Sequence, residues 1–138
     1  RPASCRIAAI DNNDLTINIW GTGEQTRSFM FIDDCVKGID MITHCDDLIA
    51  TPINLGSSEL VSINTLVSKV EKIAGVKLKR TYKLDAPLGV AGRNSDNTFI
   101  KKVLKWEPNT TLDKGLAATY KWIKVQYENR KKGKRVVE

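Results

Sequence analysis

Apolar and polar positions alternate from Leu15 to Trp20, with Leu15, Ile17 and Ile19 on one side, and that period of two predicts a strand over Thr16–Trp20. Gly21-Thr22-Gly23 breaks the alternation. A second strand is expected over Arg27–Ile32. Asp33 and Asp34 suit a helix N-terminus, where carboxylates accept from unpaired N–H groups and oppose the dipole. Val36, Ile39 and Ile42 continue that helix on one face to about Cys45.

The apolar run Pro52–Leu55 ends at Gly56-Ser57-Ser58, and Leu60–Ser62 extends again. Ser62 then caps an amphipathic helix whose Ile63, Leu66, Val67, Val70, Ile73 and Ala74 share a face, and Gly75 stands at its C-terminal turn. Leu78–Tyr82 alternates as a strand, and Asp85–Gly92 reads as a loop. Asp96 is expected to cap a short helix carrying Phe99, Ile100, Val103 and Leu104. Thr111 should cap a last one lined by Leu112, Leu116, Tyr120, Ile123 and Tyr127. The order is helix, β, β, α, β, β, α, β, α, α, which makes a small mixed α/β domain.

Composition narrows the class without naming an activity. At 138 residues, 41% hydrophobic and 28% charged, the chain fits one globular domain rather than a disordered or fibrous one. No apolar stretch approaches the roughly 18 residues of a spanning helix. Much of the net charge of +6 gathers in Arg130, Lys131, Lys132, Lys134 and Arg135, a basic tail over residues 130–138. Such a tail can attract nucleic acid or an anionic membrane, but no aromatic is interleaved with it to stack on bases. It reads as a solvated terminus, and neither nucleic acid nor membrane is expected as a partner.

Cys5, Cys35 and Cys45 are odd in number and irregular in spacing, which favours a reducing, cytoplasmic setting over a disulfide framework. His44 beside Cys45 lacks a second ligand pair, so no metal is expected.

Catalytic signatures are absent. There is no P-loop and no G-x-G-x-x-G, so no residue of this stretch is expected to bind a dinucleotide, and no nucleophile stands in a recognisable triad with His44. Tyr120/Lys124 and Tyr127/Lys131 have the Tyr-x-x-x-Lys spacing, but both tyrosines fall on the apolar stripe of the last helix, and a core role explains them. Two isolated arginines at glycine-rich turns are more informative: Arg27 after the Gly21-Thr22-Gly23 turn, and Arg93 after Gly89-Val90-Ala91-Gly92. A guanidinium fork grips phosphate oxygens bidentately, and glycines admit close backbone approach. Two converging arginines suit a diphosphate; two surface arginines near turns are the alternative.

Larger pieces carry a resemblance. The run Trp20-Gly21-Thr22-Gly23-Glu24-Gln25-Thr26-Arg27-Ser28-Phe29, continuing through Met30 to Gly38, resembles the C-terminal half of extended short-chain dehydrogenase/reductases acting on nucleotide sugars. So do Asn54-Leu55-Gly56-Ser57 and Val61-Ser62-Ile63-Asn64. Gly92-Arg93-Asn94-Ser95-Asp96-Asn97, Leu104-Lys105-Trp106-Glu107-Pro108 and Tyr120-Lys121-Trp122-Ile123-Lys124 are most similar to the GDP-mannose 3,5-epimerase branch.

The resemblance implies a substrate-binding domain over residues 1–129 that lacks its Rossmann half. It further implies substrate contacts from Gln25, Thr26 and Arg27, and a diphosphate clamp at Arg93. NAD would be held by the missing N-terminal half, together with the catalytic Cys, Lys and Tyr-x-x-x-Lys, so no catalytic residue is expected here and the fragment alone should be inactive. The complete enzyme would act on a GDP-sugar as a homodimer, the fragment being a monomer. Two positions depart from the pattern, Ile7 where a sugar-contacting Lys is usual and Ala91 where an Arg is usual. They leave open a related nucleotide-sugar 4-epimerase or 4,6-dehydratase, and a non-catalytic module using the basic tail is the rival outside enzymes.

Overall fold

The computed structural model describes residues 15–87 and 89–133; the expected opening helix, Cys5, Ile7 and the end of the basic tail lie outside the described residues. Its elements are β1 (Thr16–Trp20), β2 (Thr26–Arg27), α1 (Ile32–Thr43), a 3-10 turn (Asp46–Leu48), β3 (Val61–Ser62), α2 (Ile63–Ala74), β4 (Lys79–Lys83), α3 (Thr98–Leu104) and α4 (Leu112–Lys131). They form two compact units. The first takes the chain up to Gln25, Ser62–Gly89 and the residues from Leu116 on; the second takes Thr26–Val61 and Val90–Gly115.

In the first unit β1 and β4 pair in parallel, with Thr16 opposite Lys79 and Trp20 opposite Lys83. Ile19, Leu66, Val67, Val70 and Leu78 are its buried apolar residues, so the expected apolar face of α2 lies inward. Of the alternating set on β1, Ile19 is buried, Ile17 half-buried and Leu15 exposed. Ser62 caps α2 as its sequence predicts, its hydroxyl accepting from the Thr65 N–H at 3.1 Å. Gly75 closes the helix with φ 70°, a left-handed turn that costs glycine nothing.

One ion pair ties α2 to β4. Glu71 is buried; its Oε1 accepts from the Leu78 N–H at 3.0 Å and its Oε2 from Arg80 at 2.8 Å. Leu116, Tyr120, Ile123 and Tyr127 of α4 are half-buried on one stripe. The helix runs on through Arg130 and Lys131, so the basic segment begins as helix.

The second unit buries Leu48, Val61, Ile100 and Leu112 with the polar Asp34 and Asn97. Its α1 packs through a small residue: a Cβ on Gly38 would meet Leu55 and the Trp106 ring. Val36 and Ile39, expected on the buried face, are exposed. The inward face instead carries Asp34 and Gly38, because Gly38 lets the helix backbone lie close to Leu55 and Trp106. Asp34 does not cap α1; its Oδ2 accepts from the Thr110 N–H at 2.8 Å.

Other expectations also shift. The strand predicted over Arg27–Ile32 is only Thr26–Arg27, paired with Val61–Ser62. That ladder cannot lengthen, because the residue after Ser62 is already the first of α2. Pro52–Leu55 is irregular: proline offers no N–H to a ladder, and Leu55 serves as packing for Gly38. Leu78–Tyr82 becomes Lys79–Lys83, and α1 stops at Thr43. Asn97, not Asp96, occupies the cap position of α3, while Asp96 Oδ1 accepts from the Thr98 N–H at 2.9 Å. The last helix starts directly after Thr111, and its Leu112 N–H donates to Glu59 at 3.1 Å.

Candidate functional site

Gln25, Thr26 and Arg27 follow the Gly21-Thr22-Gly23 turn, and in the first unit that turn is held by the start of α2. The opening N–H groups of a helix have no partner inside it. Here the Ile63 N–H donates to the Gln25 carbonyl at 3.2 Å and the Asn64 N–H to the Gly23 carbonyl at 3.0 Å. The Asn64 Nδ2 adds bonds to the Thr22 carbonyl (3.1 Å) and the Glu24 carboxylate (2.6 Å), and Tyr82 donates to the Asn64 Oδ1 at 3.1 Å. Gly23 has φ 77° and lies so close to Asn64 that a Cβ would collide with it, so glycine is required twice over. Gln25 is half-buried, and its Nε2 donates to the Trp20 carbonyl at 2.7 Å.

Thr26, Arg27 and Arg93 belong to the second unit, and there the two arginine-bearing segments are joined. The Thr26 N–H donates to the Ala91 carbonyl at 2.9 Å. A Cβ on Gly92 would run into the Thr26 hydroxyl. Ala91 takes part through its backbone, so its side chain does not enter this join. Arg27 is half-buried and its Nη1, one of the two terminal nitrogens of the fork, donates to the Thr26 carbonyl at 2.6 Å. Arg93 is exposed.

Beyond Arg93 the chain is fastened again. The Asn94 Nδ2 donates to the Ser58 carbonyl (3.3 Å), the Ser95 N–H to the Ser57 carbonyl (3.2 Å) and the Asn97 Nδ2 to the Gly56 carbonyl (2.9 Å). The segments that carry Arg27 and Arg93 are thus joined by contacts between Thr26 and residues 91–92. Gly56-Ser57-Ser58 enters as the anchor of the Arg93 segment. Its sequence signals are a turn and the Asn54-Leu55-Gly56-Ser57 resemblance, and neither points to Arg93.

The remaining titratable groups offer less. Two hydrogen bonds hold the Asp96 carboxyl below its ordinary value, the larger from the Thr98 side chain and the other from the Thr98 N–H. Lys131 lies 5.6 Å from the centre of the Tyr127 ring. That cation–π contact and the half-burial of Tyr120 and Tyr127 give both tyrosines structural roles. Cys35 and Cys45 are half-buried and form no disulfide among the described residues. Among the described residues no group of His, Cys, Asp and Glu assembles as a metal site, and no helix is long and apolar enough to cross a membrane.

Residues 3–56 match the NAD dependent epimerase/dehydratase family. The chain is 44% identical over 129 residues to GDP-mannose 3,5-epimerase from Arabidopsis thaliana, which covers 94% of this chain and 33% of that protein. It is 35% identical over 113 residues to UDP-glucuronate 4-epimerase from Thermodesulfobacterium geofontis, covering 81% of this chain and 34% of the relative.

Among solved structures, UDP-glucuronic acid 4-epimerase from Bacillus cereus, in complex with UDP-glucuronic acid and NAD, superposes with a TM-score of 0.77 at 31% identity. That match covers 89% of this chain and 40% of the enzyme. The dTDP-glucose 4,6-dehydratase from Bacillus anthracis shares the fold, with a TM-score of 0.75 at 19% identity over 93% of this chain and 40% of its own. The chain therefore spans about a third of the length of its curated relatives.

Proposed function

We propose, from the match of residues 3–56 to the NAD dependent epimerase/dehydratase family and the likeness to GDP-mannose 3,5-epimerase, that this chain carries the nucleotide-sugar side of an epimerase of the GDP-mannose 3,5-epimerase type. Residues 1–129 are the substrate-binding portion and residues 130–138 a basic tail. Arg27 and Arg93 hold the diphosphate from two sides, and Gln25 and Thr26 contact the nucleotide sugar. The observation that supports this most is the joining of the two arginine segments by the Thr26–Ala91 hydrogen bond and by the absence of any side chain at Gly92. The 44% identity to a plant GDP-mannose 3,5-epimerase supports GDP as the nucleotide.

The chemistry proposed for the complete protein runs through C4 of the sugar. NAD, when bound, serves as hydride acceptor and donor there. No residue of this stretch is assigned to it, because Gly21-Thr22-Gly23 leads to a strand rather than opening a helix on which a pyrophosphate could lie. A C4 carbonyl acidifies the C3 and C5 protons, which an acid/base pair outside this stretch removes and returns on the other face. The complete enzyme works as a homodimer in the cytoplasm, and this fragment alone is inactive.

Incubating the complete protein with GDP-mannose and NAD in deuterated water tests the reaction. Deuterium at both C3 and C5 of the recovered sugar is expected. A UDP-sugar 4-epimerase, the reading favoured by the UDP-glucuronic acid enzyme's likeness, would incorporate none. A 4,6-dehydratase would exchange at C5 with loss of water. No turnover of any nucleotide sugar would refute the enzyme reading.

A further inference from the structure

Asn97 occupies the cap position of α3, where an asparagine side chain ordinarily accepts from the helix's first N–H groups. It makes no such bond. Asp96 takes the Thr98 N–H instead. Asn97 is 6% exposed, and both ends of its carboxamide are engaged elsewhere: Nδ2 donates to the Gly56 carbonyl at 2.9 Å, and Oδ1 accepts from the Ser95 hydroxyl at 2.7 Å. An amide is the side chain of this length that offers a donor and an acceptor at once. Aspartate is nearly isosteric, yet it would set a carboxylate oxygen against the Gly56 carbonyl. Gly56 itself has no room for a side chain, since a Cβ there would stand 2.9 Å from the Ser95 Cβ.

Arg93 lies between two fastenings. On its N-terminal side Ala91 and Gly92 are held against Thr26; on its C-terminal side residues 94–97 are fastened to Gly56-Ser57-Ser58 by the Asn94 side chain, the Ser95 N–H and the Asn97 amide, of which the Asn97 amide is the buried one and also holds the Ser95 hydroxyl. Fixing the backbone on both sides of an exposed, flexible side chain lowers the entropy lost when that side chain closes on a ligand.

We infer that Asn97 is a positioning residue for Arg93, presetting its backbone so that the guanidinium meets the diphosphate of a nucleoside-diphosphate ligand. The inference rests on the diphosphate role proposed above for Arg93. It adds a residue that acts without touching the ligand.

A double-mutant cycle in the complete protein, read by calorimetric titration with GDP and separately with guanosine, tests it. Asn97→Asp should weaken GDP binding up to about tenfold, the loss reached when re-ordering the loosened segment on binding costs as much as the missing hydrogen bond supplied. It should leave guanosine, which has no phosphate, unchanged. In an Arg93→Ala background the same substitution should change GDP affinity less than about twofold. Should Asn97→Asp fail to fold, Ser95→Ala removes one of the amide's two bonds and should weaken GDP binding about threefold, again only with Arg93 present.

Equal losses in both backgrounds, or a loss for guanosine as large as for GDP, would overturn the inference. So would unchanged GDP affinity in Asn97→Asp when Arg93→Ala weakens it. If Arg93→Ala itself leaves GDP affinity unchanged, the diphosphate role of Arg93 fails, and the positioning role falls with it.

Discussion

Gly92→Ala is the most informative single perturbation of the join between the two arginine segments. Gly92 is not among the glycines with positive φ, so its backbone is open to any residue and the demand for glycine there is steric. An added Cβ would collide with the Thr26 hydroxyl while lying 3.7 Å from the Thr26 Cβ and 4.0 Å from its carbonyl oxygen, so the hydroxyl alone obstructs it. Gly92 is exposed and Thr26 half-buried, so the collision is relieved by turning the Thr26 side chain, at a cost of about 1–2 kcal/mol. The smaller unfolded-state entropy of alanine offsets about 0.4–1 kcal/mol of that. The net loss is about 0.5–1 kcal/mol, with a fall in Tm of about 3–6 °C per kcal/mol for a chain of this size.

Thr26→Ala removes the obstructing hydroxyl. In that background Gly92→Ala should be neutral or stabilising, leaving a coupling of about 1–2 kcal/mol between the positions. Urea midpoints of the four proteins supply every term. Equal destabilisation by Gly92→Ala in both backgrounds would refute the close approach of these segments, and with it the support it lends to the proposed pairing of Arg27 and Arg93 on one ligand.

Two further predictions concern the scaffold. Glu71→Ala leaves the buried Leu78 N–H unpaired and Arg80 without its carboxylate, for a loss of about 2–4 kcal/mol in urea unfolding; Glu71→Gln, which keeps an acceptor for Leu78, should lose about half as much. Asp96 has a folded-state pKa below its unfolded value, so its contribution is complete above the ordinary aspartate range and disappears as pH falls through the lowered value. The stability difference between the parent and Asp96→Asn should therefore be larger at pH 7 than at about pH 3; a difference that grows on acidification would contradict the assignment.

Where chemistry is local, the sequence is legible. Ser62, the apolar stripe of α2 and Gly75 mark both ends and the buried face of one helix, and all three behave as their types dictate. The same local rules mislead on α1, where Val36 and Ile39 form an apolar stripe that the fold leaves exposed. The inward face is chosen by Gly38, whose partners Leu55 and Trp106 are distant in sequence. The strand over Arg27–Ile32 is cut short by its partner, which ends in the cap of α2, and Arg27 itself carries no sign of that.

Lys105 ends α3 in a left-handed conformation with φ 50° and no glycine to announce it. For the site, Arg27 and Arg93 stood out by residue type and by the glycines beside them. Asn97 did not, because its role depends on Gly56, 41 residues away. Sequence patterns report what a residue offers, and the anchor that uses it is set by tertiary contact.

The central claim is that Arg27 and Arg93 hold the diphosphate of a nucleotide sugar. Calorimetric titration of GDP-mannose and guanosine into the complete protein, its Arg27→Ala variant and its Arg93→Ala variant tests it most directly. Each substitution should weaken GDP-mannose binding about 10- to 100-fold, as expected for the loss of charge-assisted bonds to phosphate, and leave guanosine binding unchanged. Undiminished GDP-mannose affinity in both variants would contradict it.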